Sequence, residues 1–98
     1  MEFEFDDKSL DRLYTDAQFT AGLSQEVVTA FRKRMQQIIS FQDERDFYAL
    51  KSLHFEKLQG DRDGQSSIRL NSKWRLILEI RGSHPCKLIG IIEIVDYH

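Results

Sequence analysis

The pattern of hydrophobic and polar positions at the start of the chain predicts a short strand followed by a short helix. Residues 2–5 (EFEF) alternate between acidic and aromatic side chains, which is typical of a half-buried strand. Asp7 then stands where the N-cap of a helix belongs. Leu10, Leu13 and Tyr14 follow at the i, i+3, i+4 spacing that forms one face of a helix. This spacing predicts a helix that packs against a core.

A second, longer helix is predicted from Ser24 onward. Ser24 is a favoured N-cap residue, and Glu26 lies in the first turn, where the helix dipole stabilises a negative charge. The apolar positions that follow recur with the helical period: Val27, Val28, Phe31, Met35, Ile38 and Ile39. We interpret this stripe as facing the core. The basic cluster from Arg32 to Arg34 is interpreted as a solvent-exposed face of the same helix.

The second half of the chain is predicted to be mainly β structure. The stretch 41–56 has no clean period, and we interpret it as a loop with one helical turn. From residue 55 onward four strand-like segments follow: HFEKL, SSIRLN, KWRLILEIR and CKLIGIIEIV. The last segment is apolar on both faces, which predicts that it lies inside the sheet. The order β-α-α-β-β-β-β predicts a single α+β domain over residues 1–98, with both N-terminal helices on one face of a mainly antiparallel sheet.

The hairpin SSIRL–NSK–WRLILEI predicts that two arginines face each other. If residues 71–73 form its loop, the apolar side chains of both strands share one face, and Arg69 lies opposite Arg75 on the other face. Like charges in this position are unfavourable, so a compensating group is expected. Glu79 or an anionic ligand such as a phosphate, which arginine binds through paired N–H groups, could compensate. Two further possibilities stay open: the side chains turn into water, or one of them stacks on a neighbour.

Composition narrows the class of protein without naming a function. The chain has 98 residues, of which 41% are hydrophobic, and its net charge is −2. Cys86 is the only cysteine, so no internal disulfide can form, and the acidic N-terminus lacks a signal-peptide pattern. No apolar run approaches the roughly 20 residues of a membrane helix. We therefore expect a cytoplasmic protein.

Positive charge is concentrated in one part of the chain. Residues 57–87 carry seven basic and three acidic groups, although the chain as a whole is acidic. Such a region can form a local anion-binding site. It can equally be ordinary solvated charge, and composition does not decide between the two.

The chain ends on Asp96, Tyr97 and His98, directly after the apolar run 88–95. A carboxylate near an imidazole fixes its tautomer and stabilises its protonated form, which suits a general acid. Two other interpretations stay open: the strand ends by chance on these residues, or they bind a metal. The side chains that could join them at a metal are His54, Glu56 and Glu93. The sequence has neither a Cys pair nor an HExxH spacing, so we expect no metal and no cofactor.

Four motifs stand in the C-terminal half of the chain. They are L-x-G-[DN]-R-x-G at 58–64, S-I-R-[LV] at 67–70, W-R-[LI] at 74–76 and [ED]-x-x-D-Y-H at 93–98. Together they resemble the HigB branch of the RelE-type bacterial toxins. The N-terminal half agrees with that family in length and helix placement only.

This resemblance implies a toxin of a type II toxin–antitoxin system with a RelE-like fold, in which two helices pack on a curved sheet. It implies metal-independent cleavage of messenger RNA on the translating ribosome, and hence inhibition of translation. It also implies neutralisation by a HigA-like helix-turn-helix antitoxin, through which the toxin binds operator DNA indirectly. Asp96, Tyr97 and His98 carry over from the family as catalytic residues.

The chemistry of metal-free RNA cleavage fits these residues. The reaction needs a base for the ribose 2′-hydroxyl, an acid for the departing 5′-oxygen, and cations for the charge on phosphorus. His98 is the candidate acid, with Asp96 orienting it. Tyr97 is expected to stack on a base or to hydrogen-bond the RNA backbone. The side chains expected to hold the phosphate are Lys57, Arg69 and Arg75.

Two departures from the family pattern affect these expectations. Several relatives have a histidine two residues before the L-x-G-D-R motif, where this chain has Glu56, with His54 two residues further back. Glu56 is a candidate base, but the scissile phosphate repels a carboxylate, which predicts weaker activity or a different base. The net charge of −2 predicts weak binding of free RNA and dependence on the ribosome for placing the substrate.

Two alternatives share the same fold. The first is a non-enzymatic binder, such as a topoisomerase inhibitor, although relatives of that kind typically lack the terminal Asp-Tyr-His. The second is a weakened toxin that retains antitoxin binding and has lost cleavage, for which Glu56 is the main support.

Overall fold

The computed structural model of the protein describes residues 1–83 and 86–96. Tyr97 and His98, both predicted as site residues, lie outside this part. The helices and strands are β1 (Glu2–Phe5), α1 (Lys8–Thr15), α2 (Gln25–Ser40), α3 (Arg45–Ala49), β2 (Glu56–Lys57), β3 (Ser66–Arg69), β4 (Trp74–Arg81) and β5 (Leu88–Asp96). The predicted order β-α-α-β-β-β-β is confirmed. The stretch interpreted as a loop contains α3 and a 3-10 turn at Lys51–Leu53, and a second 3-10 turn spans Gly60–Arg62.

Both predicted helix N-caps are confirmed. The Asp7 carboxylate accepts a hydrogen bond of 2.7 Å from the backbone N–H of Ser9 at the start of α1. The Ser24 hydroxyl accepts one of 3.3 Å from the backbone N–H of Val27 at the start of α2. Each bond satisfies one of the backbone donors that the first turn of a helix leaves without an intrahelical partner.

The sheet has the strand order β1-β5-β4-β3-β2. β5 therefore lies inside the sheet, as its two apolar faces predict. It pairs in parallel with β1 and antiparallel with β4, and the other pairings are antiparallel. The sheet is thus mainly antiparallel, and the one parallel pairing joins the first strand to the last.

A bulge in β5 changes which side chains face the core. Leu78 pairs with Ile91, but Ile77 pairs with Glu93, so Ile92 is skipped. Without this extra residue, the alternation would point Glu93 toward the core beside Leu76. With it, Ile94 pairs with Leu76 on the core side and Glu93 lies on the opposite face. A bulge also bends the strand in which it occurs.

The helices and one face of the sheet enclose the apolar core, so α1 and α2 lie on one side of the sheet as predicted. Its largest fully buried side chains are Leu13, Phe31, Met35, Ile38, Phe47, Leu53, Ile68, Leu76, Leu78, Ile89 and Ile91. Val27 and Val28 are also buried in this core, so the predicted helical stripe is confirmed except at Ile39, which is 44% exposed. Within residues 1–83 and 86–96, no helix combines the length and the apolar character needed to cross a bilayer.

Candidate functional site

Arg69, Arg75 and the end of β5 lie in one row across the sheet. Arg69 on β3 pairs with Arg75 on β4, and Arg75 pairs with Val95 on β5. The next row along, Ile68 with Leu76, faces the core, so the arginine row belongs to the opposite face. The predicted hairpin register is confirmed. Because neighbouring strands lie about 4.8 Å apart, this register brings the end of the described chain beside Arg75, with Arg69 one strand further away.

Arg75 is the more buried of the two arginines, with only 8% of its surface exposed. Its Nε donates a hydrogen bond of 2.8 Å to the hydroxyl of Ser67. Its Nη2 donates to the backbone carbonyl of His54 and, at 3.3 Å, to that of Ser67. Arg75 therefore ties β4 to β3 and to the segment that precedes β2.

The compensation predicted from Glu79 is wrong. The carboxylate of Glu79 accepts a hydrogen bond of 2.7 Å from Nε of Arg81 on the same strand. Among the described contacts, carbonyl and hydroxyl oxygens accept the hydrogen bonds of Arg75. Alternation of side chains does place Glu79 and Arg75 on one face, but the carboxylate of Glu79 pairs with Arg81, which is closer to it in sequence.

Arg69 is half-buried and contacts a histidine. Its Nε donates to the carbonyl of Asn71 at 3.1 Å, and its Nη1 lies 3.4 Å from Nε2 of His54. His54 follows the 3-10 turn at Lys51–Leu53 in the left-handed conformation, with φ of 46° and ψ of 51°. The contact between His54 and Arg69 was not predicted, because nothing in the local sequence pattern indicates it.

Arg34 supports the site from the helix side, which the sequence analysis missed. It is 9% exposed, and its Nε donates a hydrogen bond of 2.8 Å to the backbone carbonyl of Arg69. Its two other nitrogens donate to Gln37 at 2.9 Å and to the carbonyl of Ser52 at 3.3 Å. Burial, and secondly the charge of Arg69, lowers the pKa of the Arg34 guanidinium from its ordinary value.

The interpretation of the cluster 32–34 as a solvent-exposed face is therefore wrong for two of its three residues. Arg34 is buried as described, and Arg32 donates to the carbonyls of Leu13, Asp16 and Phe19 at 3.1 to 3.2 Å. A guanidinium carries five donors, so it can satisfy several backbone carbonyls near a helix end. Lys33 is exposed, as expected.

Glu56 and Lys57 form β2 at the edge of the sheet, and both are exposed. Glu56 pairs with Ser67, two residues from Arg69 on β3, so its side chain belongs to the same face as Arg69. Lys57 pairs with Ser66, and alternation assigns its side chain to the other face. The structure therefore brings Glu56 toward the arginine row and separates Lys57 from it.

Asp96 is the last described residue, and it is exposed. It pairs with Trp74, one residue beyond the pairing of Val95 with Arg75. In an extended strand its side chain alternates away from the face of Val95 and Arg75. Asp96 is therefore adjacent to the arginine row along the chain, on the other side of the strand.

Within the described residues, one ion pair and one ion-pair cluster lie further along this face. Glu93, the first residue of the terminal motif, pairs with Arg62 of the L-x-G-D-R motif. Arg81 pairs with Glu79, Glu4 and Asp6, and its hydrogen bond lowers the pKa of Asp6 below the ordinary 3.8. In residues 1–83 and 86–96, no group of three or more His, Cys, Asp or Glu side chains is arranged to hold a metal ion.

Solved structures define the fold class. The chain is similar to the YoeB/ParE toxin from Agrobacterium tumefaciens, with a TM-score of 0.62, 17% identity and complete coverage of both chains. It is also similar to YafQ from E. coli strain BL21(DE3), with a TM-score of 0.62, 11% identity, and coverage of 97% of this chain and 91% of that one. The YoeB–YefM complex from Staphylococcus aureus gives a TM-score of 0.56 at 19% identity, covering 100% of this chain and 97% of that one. The fold is therefore that of the RelE-like toxins.

Sequence comparison identifies the family. Residues 3–98 match the family of HigB-like toxins, described as the RelE-like toxin of the type II toxin–antitoxin system HigB. Toxin HigB-1 from Vibrio cholerae serotype O1 is 30% identical over 79 residues, which are 81% of this chain and 83% of that protein. The chain belongs to the HigB-like toxin family and is a toxin of a type II toxin–antitoxin system.

Proposed function

We propose that this toxin is a metal-independent endoribonuclease that cleaves messenger RNA on the translating ribosome. The observation that carries this proposal is the row formed by Arg69, Arg75 and the end of β5. The two guanidiniums of this row supply cations for one phosphodiester, and the terminal Asp-Tyr-His that follows the strand is proposed to supply the proton donor. Stabilising charge on a reacting phosphoryl group with preorganised cations is a large contribution to catalysis.

The proposal assigns different roles to the two arginines. Arg69 is half-buried and held by one carbonyl and one imidazole nitrogen, so its guanidinium can turn toward a phosphate. Arg75 is 8% exposed and bound to backbone and hydroxyl oxygens. Its buried charge stabilises the bound phosphate electrostatically without contacting it, and its hydrogen bonds hold the segment around His54. Lys57 binds the RNA backbone at the edge of the sheet rather than at the scissile phosphate.

The terminal residues supply the acid in this proposal. His98 protonates the departing 5′-oxygen, and Asp96 orients the imidazole. Tyr97 stacks on a base or hydrogen-bonds the RNA backbone. The resemblance to the family supports these roles, and the strand that carries Asp96 ends at the arginine row.

The charge of the chain favours the ribosome as the place of cleavage. A net charge of −2 gives little long-range attraction for free RNA. A ribosome that presents the messenger in a fixed position removes the need for such attraction. We therefore propose that free RNA is a poor substrate.

The partner that neutralises the toxin is proposed to be a HigA-like helix-turn-helix antitoxin, through which the toxin also binds operator DNA. The related YoeB of Staphylococcus aureus is known in a complex with YefM, which supports an antitoxin partner for this fold. The toxin acts in the cytoplasm, where its ribosomal substrate is found.

Induction of the toxin without antitoxin, followed by mapping of messenger 5′ ends, tests the proposed function. Growth arrest with new 5′ ends inside translated regions is expected for the wild type. His98→Ala and Arg69→Ala should abolish both effects. Arg45→Ala is the matched control, because Arg45 is an exposed arginine that pairs only locally with Asp43 among the described contacts. Its arrest should equal that of the wild type.

Two outcomes would contradict the proposal. Arrest with DNA damage signalling and intact messengers would favour a non-enzymatic binder. Harmless expression of a folded wild-type toxin would favour the weakened toxin, for which the exposed Glu56 on the face of Arg69 is the specific support.

A further inference from the structure

We propose that Arg62 binds the messenger phosphate next to the scissile one, in exchange for its ion pair with Glu93. The inference rests on the proposed function and extends it, because it assigns a second phosphate-binding position on the same face of the sheet. In the free toxin the carboxylate of Glu93 occupies this position. In the complex with RNA the phosphate replaces that carboxylate.

The position of Arg62 follows from the two groups that its guanidinium contacts. Its Nη1 donates a hydrogen bond of 3.0 Å to the side-chain oxygen of Gln65, which directly precedes β3. Its Nη2 donates to the carboxylate of Glu93 on β5. Because β4 lies between β3 and β5, the guanidinium lies across β4, on the face of the sheet opposite the core.

A buried isoleucine on this face agrees with that position. Ile77 pairs with Ser67 and with Glu93, and it is absent from the apolar core cluster, yet only 2% of its surface is exposed. The methylene groups of an arginine can cover apolar surface while its charged end stays in water. Arg62 is placed to cover Ile77 in this way, and its guanidinium stays accessible to a ligand.

The distance from the arginine row suits a neighbouring phosphate. Glu93 lies two residues before Val95, the β5 member of the arginine row, and the pairing between the two positions is regular. Two residues of a strand span about 7 Å, which is close to the separation of neighbouring phosphates along an RNA strand. A messenger held at Arg69 therefore brings its next phosphate to Arg62.

Glu93 is the group that the phosphate has to replace. Among the described contacts it is the carboxylate that pairs with Arg62, whereas Asp61 and Asp63, which flank Arg62 in the sequence, make no ion pair with it. The side chains of the pair are 39% and 42% exposed, so exchanging one anion for another costs little hydration. A phosphate also offers the guanidinium fork two acceptor oxygens, which arginine binds in pairs.

Two single variants that break the same ion pair distinguish this role from a structural one. The assay is single-turnover cleavage of a messenger on purified ribosomes, with toxin below saturation. Arg62→Gln should lower the rate about fivefold or more, because it removes a contact with the phosphate, and Glu93→Gln should raise it about twofold or more, because it frees Arg62. At saturating toxin both rates should approach that of the wild type. A purely structural ion pair predicts losses of the same sign from both variants.

Arg45→Gln and Asp43→Asn are the matched controls. They break an exposed ion pair of the same kind beside α3, and each should leave the rate within about twofold of the wild type. Urea unfolding of all four variants checks that each is folded, so that a change in rate is not a loss of native protein.

Messengers with one neutral linkage identify the phosphate. A methylphosphonate directly before or directly after the scissile phosphate removes one negative charge. At the linkage that Arg62 binds, wild-type toxin should lose about fivefold or more, and Arg62→Gln should lose nothing further. At the other linkage the effects of the two changes should multiply.

The results that would overturn the proposal do not depend on the proposed function. Equal rates for Arg62→Gln and the wild type would remove it, as would similar losses in Arg62→Gln and Glu93→Gln. Multiplying effects at both neighbouring linkages would also remove it, because Arg62 would then bind a different phosphate, such as one of ribosomal RNA. In each case cleavage by the wild type would leave the proposed function standing. Failure of the wild type to cleave would remove the proposed function, and this extension with it.

Discussion

Two arginines that look equivalent in the sequence should contribute very differently to stability. We predict that Arg75→Ala lowers the free energy of unfolding by about 2–4 kcal/mol, because it removes hydrogen bonds from a charged donor that are worth about 1.5–3 kcal/mol each. The two best placed are those to the Ser67 hydroxyl and the His54 carbonyl. The estimate lies below their sum, because removing a buried charge also recovers part of its hydration.

Arg69→Ala should lower the free energy of unfolding by less than about 1 kcal/mol, as is typical of a partly exposed charged side chain. Arg69 is half-buried, and its contacts are a local bond to Asn71 and a long one to His54. Its charge also opposes that of Arg34, whose pKa it lowers. Removing Arg69 relieves that repulsion, which offsets part of the loss. The same change should abolish messenger cleavage, so Arg69 separates function from stability and Arg75 does not.

Urea denaturation measures both effects. With a slope of about 2 kcal/mol per molar urea, the midpoint should fall by about 1–2 M for Arg75→Ala and by less than about 0.5 M for Arg69→Ala. Arg75→Lys is a useful control, because it keeps the charge but loses the planar fork, and it should fall between the two. Equal losses for the two alanine variants, or a larger loss for Arg69→Ala, would refute the assignment of Arg75 as the buried tie.

Three further predictions concern the rest of the fold. A Cβ at Gly90 would lie 2.2 Å from Cζ of Arg81, so Gly90→Ala should displace the Arg81 side chain and lose the stability that alanine normally adds in a strand. In an Arg81→Ala background, the same change should raise the free energy of unfolding by about 0.5–1 kcal/mol. A double-mutant cycle in urea that shows no coupling between the two positions would contradict this. The pKa of Asp6 is lowered below 3.8 in the folded state by its hydrogen bond to Arg81, so the stabilising contribution of this carboxylate is present above pH 3.8 and is lost as the pH falls through the lower, folded pKa. The difference in stability between wild type and Asp6→Asn should therefore shrink as the pH falls below 3.8. A difference that stays constant would count against the ion pair. Ser24→Ala should cost about 1 kcal/mol in thermal or urea unfolding, because it removes the N-cap of α2, and an unchanged midpoint would mean that water replaces the cap.

The sequence pattern predicted the features that depend on alternation and helical period. The shared face of Ile68 and Leu76 determined the hairpin register, and hence the pairing of Arg69 with Arg75. The two apolar faces of β5 predicted its place inside the sheet. These features follow from burial of apolar area on a regular backbone, which a single sequence records directly.

The features that the sequence did not predict depend on contacts between distant segments. Ile92 is skipped by a bulge, and the run of apolar residues around it gives no sign of where the alternation shifts. Arg34 stands in a basic cluster, and only the approach of β3 and the 3-10 turn makes it a buried donor. His54 meets Arg69 because of the same approach. Local patterns contain no signal for such contacts, because the polar partners are backbone carbonyls and a side chain 15 residues away.

The central claim is that Arg69, in the row that runs through Arg75 to the end of β5, holds a messenger phosphate for cleavage. Its most direct test is an assay with purified ribosomes translating a defined messenger, with wild-type toxin, Arg69→Ala and the Arg45→Ala control. The account predicts ribosome-dependent cuts with 5′-hydroxyl ends for the wild type and the control, and none for Arg69→Ala. An intact messenger with folded wild-type toxin, or equal cleavage by Arg69→Ala, would contradict it.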